Sequence, residues 1–223
     1  MNETYKKNIA ETFKRLKDID DYEILINNCI RINSCKGFLV PVCNLYERDD
    51  ALLLKLADWR RNAITFHNKF NVTHESTKLW LRNLLLDIPD RILFLVLDEF
   101  GTSIGHMGFT NALNDEGLIE FDNVIRGIPS TNPGIMSSAI LTLLNWVSES
   151  FESKKFYIRT LESNTHAISF YKKLGFVFEG WQPLRRVEKG NEFNHFPIKE
   201  GDKNPPDQYF ICMKISPDAI KGQ

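Results

Sequence analysis

Three strand-like segments follow one another between residues 91 and 126. The segments 91–97 and 103–110 are rich in apolar residues and are joined by a turn around residues 98–101, and a third segment spans 118–126. A parallel pair would need a crossover of a dozen or more residues, so such short connections favour antiparallel neighbours. The sequence therefore predicts an antiparallel meander at the centre of the fold.

Helical patterns lie on both sides of this meander. Apolar residues recur every three to four positions in several segments, and strand-like runs fill the rest of the chain. The predicted helices are 4–32 (with a second helix from about 22), 47–62, 73–87, 134–151 and 164–174, and the other predicted strands are 36–43, 155–160, 176–181, 183–188 and 208–215. This order predicts an α+β fold, in which helices flank a mixed, mostly antiparallel central sheet. We expect residues 1–35 to form an N-terminal helical extension and residues 36–223 to form one domain.

Composition narrows the class of partner. The 28 basic and 29 acidic residues give a formal net charge of −1, so we expect neither nucleic acid nor a membrane surface as a partner. The longest apolar run, "ILFLVL", is too short to cross a bilayer, and the polar N-terminus does not resemble a signal peptide. The four cysteines form no CxxC pair, which predicts reduced thiols, a cytoplasmic location and no metal.

A loop of small residues joins the third meander strand to an apolar helix, in "FDNVIRGIPSTNPGIMSSAILTLLNWV". The start of a helix leaves backbone N–H groups without partners and carries partial positive charge, so it suits a phosphate. Gly134 would let a ligand approach closely, while Thr131 or Asn132 would cap the helix. The dinucleotide fingerprint GxGxxG and the Walker pattern are both absent.

A second motif, "NTHAISFYKKLGF", follows the strand 155–160. It predicts a helix that ends at a left-handed glycine, Gly175. This motif and the strand–loop–helix unit together resemble the GNAT superfamily of acyl-CoA-dependent N-acetyltransferases, over residues 37–215. The loop departs from the usual Arg/Gln-x-x-Gly-x-Gly/Ala pattern, since it is longer here between Arg126 and Met136.

The resemblance implies that acetyl-CoA is the co-substrate and a primary amine the acceptor. The pantetheine arm would lie along the strand end at Val124, Ile125, Arg126 and Gly127, and Asn164 would hold the same region from the next strand. The pyrophosphate would meet the amides at the helix start, which are those of Gly134, Ile135, Met136, Ser137 and Ser138. Tyr171 would face the thioester sulfur and donate the proton that the leaving thiolate needs.

The amine must lose a proton before it attacks, so the site needs a base or a water chain. The candidates are Glu120 and Asp122, which strand alternation places on one face with Val124 and Arg126, opposite Phe121, Asn123 and Ile125. His106 on the adjacent strand is a third candidate, although packing is the competing interpretation. A backbone N–H near Ile125 would stabilise negative charge on the carbonyl oxygen.

Three functions remain open at this stage. The acceptor is a small amino sugar, free or nucleotide-linked, or it is a protein N-terminus such as that of a ribosomal protein; alternatively, the chain is a non-catalytic CoA-binding module. Arg185 and Arg186 would form a positive rim for a phosphorylated acceptor, or a solvated hairpin. We expect Trp59, Trp80 and Trp146 to be core residues. Trp181 would either line an acceptor pocket or belong to the core. The chain could also form a homodimer.

Overall fold

A computed structural model describes residues 3–33, 36–63, 68, 71–129, 132–151, 155–199 and 201–221. Cys35 and the predicted cap Thr131 lie outside these residues. Nine strands form one sheet in the order β1-β2-β3-β4-β5-β6-β9-β7-β8, and every neighbouring pair is antiparallel except β5 and β6. The strands are β1 (Ile30–Arg31), β2 (Gly37–Pro41), β3 (Ile92–Asp98), β4 (Ser103–Thr110), β5 (Leu118–Arg126), β6 (Lys155–Leu161), β7 (Val177–Lys189), β8 (Glu192–Pro197) and β9 (Gln208–Ile215).

Helices cover both faces of the sheet. They are α1 (Glu3–Lys17), α2 (Tyr22–Asn27), α3 (Asp50–Asn62), α4 (His74–Leu81), α5 (Ile135–Phe151), α6 (Thr165–Lys173) and α7 (Pro217–Lys221). Phe94 of β3 contacts Trp146 of α5 on one face, with ring centroids 5.5 Å apart. On the other face Trp59 of α3 packs on His106 of β4, with ring centroids 6.0 Å apart. The sheet is therefore the middle layer, and its central strands are buried on both sides.

Local signals in the sequence explain several helix starts. Thr73 and Ser76 form a capping box at α4, and Asn164 caps α6 by accepting a hydrogen bond from the Ala167 N–H. Gly175 has a φ of +83°, which confirms the predicted left-handed stop after α6. The predicted helix 73–87 is shorter than expected, because a π-helical turn (Arg82–Leu86) replaces its last residues.

The N-terminal helix α1 packs on the same core as the rest of the chain. Ile9 and Phe13 are fully buried, and Phe13 contacts Phe151 of α5 edge to face, with ring centroids 6.0 Å apart. The predicted continuous helical region 4–32 is wrong at its end. The second helix ends at Asn27, and residues 30–31 pair with β2 as an edge strand.

A β-bulge in β5 changes which side chains share a face. Gly108 pairs with Asp122, but His106 pairs with Ile125, so β5 carries one extra residue here, and Asn123 has a φ of +54°. Because one extra residue reverses the alternation, Ile125 lies on the face of Glu120 and Asp122, and Arg126 lies on the opposite face. The alternation predicted from the sequence is therefore wrong beyond Asp122.

The C-terminal part of the sheet differs from the prediction in two ways. The two runs 176–181 and 183–188 form one strand, β7, and β8 was not predicted. Arg185 donates to Asp202, Asp207 and two backbone carbonyls, while Arg186 pairs with Glu188 and lies over Phe193. Arg185 is thus engaged by the connector between β8 and β9, and Arg186 by the hairpin itself, which argues against the positive rim proposed for them.

Candidate active site

A cleft opens where the parallel strands β5 and β6 separate. They pair only from Leu118 to Glu120 and from Lys155 to Tyr157, although both strands continue further. The resulting cavity has a volume of about 120 Å³. Its lining comes from both strands, α6 and β9, and comprises Ala63, Phe121, Asp122, Asn123, Val124, Ile125, Ile158, Arg159, Thr160, Leu161, Asn164, Ala167, Tyr171 and Phe210.

A larger cavity of about 900 Å³ lies beside this cleft. It is lined by Arg60, Asn68, Ser76, Leu79, Trp80, Asn83, Leu84, Arg91, Thr110, Asn111, Glu120, Asp122, Asn123, Arg159, Asn194 and Phe210. Four residues line both cavities, namely Asp122, Asn123, Arg159 and Phe210. These residues form the border between the two cavities, which we call the junction.

Glu120 is held in a buried polar network. The Arg159 guanidinium donates to both of its carboxylate oxygens, Nε to Oε1 at 2.7 Å and Nη2 to Oε2 at 2.9 Å, and the Asn111 amide donates to Oε2 at 2.6 Å. Arg159 also donates to Gln182 on β7. Burial raises the pKa of Glu120, while the hydrogen bonds from Arg159 and Asn111 oppose that shift. A carboxylate bonded in this way by a guanidinium is poorly placed to take a proton from a substrate.

Asp122 is only half-buried and sits at the junction of the two cavities. Among the described residues, its carboxylate accepts one hydrogen bond, which the side-chain amide of Asn123 donates at 2.7 Å. Tyr171 lines the cleft nearby, and burial, followed by the negative charge of Asp122, raises the pKa of its hydroxyl above the ordinary value. The pair thus places a half-buried carboxylate and a protonated phenol near one point.

His106 lies on β4, opposite Ile125 of β5, and lines neither of the two cavities. Its Nδ1 is 2.7 Å from the Asn123 carbonyl oxygen, and because that oxygen can only accept, Nδ1 carries the proton. Burial lowers the pKa of His106 to about 4, and the positive charge of Arg60 acts in the same direction. A fully buried neutral ring with this bond is poorly placed to act as the base, so the packing interpretation of His106 is the better supported one.

The helix start offers a small set of available amides. Gly134 has a φ of +86° and open space where a Cβ would stand. The Ile135 N–H donates to the Asn132 carbonyl at 3.4 Å, and the Ser138 N–H donates to the Gly134 carbonyl at 2.9 Å. The amides between them, those of Met136 and Ser137, are therefore the ones that begin the helix without a partner one turn back. Pro133 and Gly134 precede α5, whose first residue is Ile135.

The remaining predicted residues divide into two groups. Val124 and Ile125 line the cleft, and so does Asn164, whose side-chain oxygen already caps α6. Arg126 is exposed on the other face of β5, and the Gly127 N–H donates to the Ile104 carbonyl. A Cβ on Gly127 would lie 2.0 Å from the Trp59 ring, so this glycine serves the packing of α3 on the strand end.

The predictions for the four tryptophans fare differently. Trp59 is buried, as expected, and Trp146 is half-buried among core aromatic residues. Trp80 lines the larger cavity, and the Arg60 guanidinium stacks 4.2 Å from its ring centroid. Trp181 is 55% exposed and contacts Phe178 and Tyr209, so it belongs neither to the core nor to a cavity.

Most of the residues at and around the junction were not predicted from the sequence. Arg159 and Asn111 were not identified as site residues, and neither was the asparagine-rich wall of the larger cavity. A signal for Arg159 existed, because an arginine inside the strand-like run "KFYIRT" needs a buried partner or an edge position. The described residues contain no group of three His, Cys, Asp or Glu side chains that could hold a metal ion. Within the same part of the chain, no helix is long and apolar enough to span a membrane.

A family model and several solved structures are similar to this chain. A family model described as an acetyltransferase (GNAT) domain matches residues 43–177. A probable GNAT-family acetyltransferase from Chromobacterium violaceum has a similar structure, with a TM-score of 0.63 and 17% sequence identity over 85% of this chain and 87% of that one. RimL, a ribosomal L7/L12 alpha-N-protein acetyltransferase, gives a TM-score of 0.59 at 14% identity, over 85% and 94% of the two chains.

A structure described as FdhC, a nucleotide-linked sugar GNAT, gives a TM-score of 0.56 at 13% identity, over 84% and 92% of the two chains. At these levels of identity the solved structures establish the fold alone. No curated protein matches the chain.

Proposed function

The chain belongs to the GNAT acetyltransferase family, which confirms the resemblance drawn from its sequence, and we propose that it transfers an acetyl group from acetyl-CoA to the primary amine of a small amino sugar, free or nucleotide-linked. The observation that carries the proposal is the junction of the two cavities. Asp122, Asn123, Arg159 and Phe210 border both of them, so a donor in the cleft and an acceptor in the larger cavity would meet there.

The cleft between β5 and β6 fits a long, narrow co-substrate. The backbone of Val124 and Ile125 borders it, and β6 leaves that edge of β5 unpaired beyond Glu120. Gly134 and the amides of Met136 and Ser137 stand at the start of α5, where a diphosphate would find N–H donors and no Cβ in its way. When bound, acetyl-CoA supplies an acetyl group already activated as a thioester.

The chain supplies the proton transfers. The Asp122 carboxylate accepts a proton from the bound ammonium, which frees the nitrogen lone pair for attack. The Tyr171 hydroxyl stays protonated at neutral pH and donates its proton to the sulfur as the carbon–sulfur bond breaks. The resulting phenolate then takes the second proton, which the nitrogen loses as the amide forms. Glu120 takes no part in these transfers, because Arg159 and Asn111 already use both of its oxygens. Acid and base roles thus fall on the two groups that border the cleft.

The lining of the larger cavity favours a hydroxylated acceptor. Seven of its sixteen described lining residues carry amide or hydroxyl groups, and these are Asn68, Asn83, Asn111, Asn123, Asn194, Ser76 and Thr110. Such groups both donate and accept hydrogen bonds, as sugar hydroxyls require. Trp80 offers an apolar ring face, which would pack against the carbon face of a sugar.

Charge in the same cavity disfavours a polyamine. Among its described lining residues, three arginines (Arg60, Arg91 and Arg159) face two carboxylates, and Arg159 occupies one of these. A polyamine would find Asp122 alone to balance several positive charges. An acceptor with one amine and a phosphate group matches this distribution better, and the arginines would stand close to the phosphate.

An acetylation screen tests the proposal. The purified chain would be incubated with acetyl-CoA and four separate acceptor pools: free amino sugars, nucleotide-linked amino sugars, polyamines, and peptides with free N-termini. Mass spectrometry would detect the acetylated product, and calorimetry would measure coenzyme A binding. We expect a sugar pool to be acetylated. Turnover of peptides alone would favour the protein N-terminal function, and coenzyme A binding without turnover in any pool would favour a binding module.

A further inference from the structure

We propose that His106 is a positioning residue that holds the bulge of β5, and with it the backbone of Val124 and Ile125, in the shape that receives the thioester arm of acetyl-CoA. The inference rests on the proposed function, since it concerns the same cleft. It assigns to His106 a task other than proton transfer.

The bulge needs such support. Asn123 adopts a left-handed backbone conformation, which an L-residue other than glycine enters only where its surroundings hold it there. A bulge also leaves one residue without its regular ladder bonds. The Nδ1–H of His106 bonds the Asn123 carbonyl oxygen at 2.7 Å and so gives this peptide group a partner from the neighbouring strand.

Packing fixes the direction from which the bond is made. The His106 ring is fully buried against Trp59, and the same indole lies under Gly127, at the far end of the strand. Trp59 therefore supports both His106 and the strand end. The ring and the strand end are held together, and the bulged residues between them line the cleft.

The surroundings of Nε2, the other ring nitrogen, indicate that the hydrogen bond from Nδ1 is what a histidine contributes at position 106. Nε2 is buried and has no hydrogen-bond partner among the residues that the structure describes. An apolar side chain would fill this space without the cost of burying an imidazole. The bond from Nδ1 to Asn123 is the one specific interaction that such a side chain would lose.

Two substitutions separate the bond from the packing. His106→Leu keeps an apolar side chain of similar size but removes the donor, whereas His106→Asn places an amide N–H near the position of Nδ1. Thr77→Val is the control, because Thr77 is fully buried, lines neither cavity, and has no recorded partner for its hydroxyl among the described residues. Coenzyme A affinity would be measured by calorimetry, melting temperature by circular dichroism, and kcat and KM on the acceptor found in the screen.

We expect His106→Leu to weaken coenzyme A binding by about tenfold or more and to raise KM for acetyl-CoA, with KM for the acceptor changed less than threefold. His106→Asn should restore affinity to within about threefold of wild type, and Thr77→Val should match wild type. Equal affinity in wild type and His106→Leu would overturn the proposal, as would equal losses in the Leu and Asn variants.

A measurement on the unmodified chain covers the case in which a variant does not fold. Nitrogen-15 NMR of the histidine rings should show His106 neutral at pH 7, with its proton on Nδ1. A proton on Nε2 would overturn the positioning role of His106 even if coenzyme A binds. If wild type does not bind coenzyme A, the proposed function fails. The spectrum still decides whether the hydrogen bond from His106 Nδ1 to Asn123 exists.

Discussion

The two acidic residues of β5 should respond in opposite ways to the loss of their charge. Glu120→Gln should lower stability and leave much of the activity, whereas Asp122→Asn should lower activity and leave the stability. The reason is their surroundings: the Glu120 side chain is 7% exposed and bonded to Arg159, while Asp122 is half-buried at the junction of the cavities. Both substitutions change one oxygen to an amide nitrogen, so they are closely matched.

The magnitudes follow from the same contacts. Removing one partner of a buried ion pair costs about 3–5 kcal/mol, because the other charge stays behind unpaired. The Arg159 side chain is 25% exposed, so water partly solvates it, and we reduce the expected loss to about 2–3 kcal/mol. In a chain of this length that loss corresponds to a melting temperature roughly 4–12 °C lower. Asp122→Asn should change the free energy of unfolding by about 0.5 kcal/mol and lower kcat by about 10²- to 10³-fold.

Chemical denaturation and steady-state kinetics at a temperature where both variants are folded would provide the two readouts. The assignment of the base to Asp122 would be refuted if Asp122→Asn kept kcat within about threefold of wild type. A stable but inactive Glu120→Gln variant would transfer the role to Glu120.

Three further predictions concern the acid, the phosphate site and a buried lysine. Tyr171→Phe should lower kcat by about 10²-fold and leave coenzyme A affinity within about twofold by calorimetry; unchanged turnover would remove the acid role. Gly134→Glu should abolish coenzyme A binding in the same assay. Two controls should keep it: Gly134→Ala, which has the same backbone strain, and Gly101→Glu, at another open left-handed glycine. Normal affinity in Gly134→Glu would move the phosphate site elsewhere. Burial lowers the pKa of Lys17 from 10.5 to about 8, so between these pH values the unfolded chain binds more protons than the folded one. Urea titrations should therefore show the wild type gaining up to about 3 kcal/mol relative to Lys17→Met as pH rises through that window, and parallel curves for the two proteins would contradict the shift.

Sequence periodicity predicted the elements that a single segment determines. The bounds of β5, 118–126, were predicted as the structure has them, and Gly175 marked the end of α6, because both signals are local. The bulge at Asn123 was not predictable in the same way. Asparagine is among the few residues that tolerate a left-handed backbone, but it also occurs in regular strands, and the extra residue depends on how β4 pairs with β5.

The site was less predictable than the fold because its parts are distant in sequence. Asp122 and Tyr171 were proposed from one strand pattern and one motif, and the structure brings them to the same cleft. Arg159 meets Glu120 only because β6 lies beside β5 and then diverges from it. Arg185 shows the opposite error, since the carboxylates that engage it lie 17 and 22 residues further along the chain.

The ion pair between Arg159 and Glu120 explains how Glu120 and Asp122, two carboxylates on one face of β5, can have different tasks. Arg159 borders the same two cavities as Asp122, so a guanidinium without another partner there would attract the Asp122 carboxylate into an ion pair. Glu120 prevents this, because its two oxygens already receive two of the N–H groups of Arg159 and the third bond goes to Gln182. The buried carboxylate thus neutralises the arginine, and the half-buried one stays available to a substrate ammonium. On this argument Glu120 transfers no proton itself, and its loss should lower the rate far less than the loss of the Asp122 carboxylate.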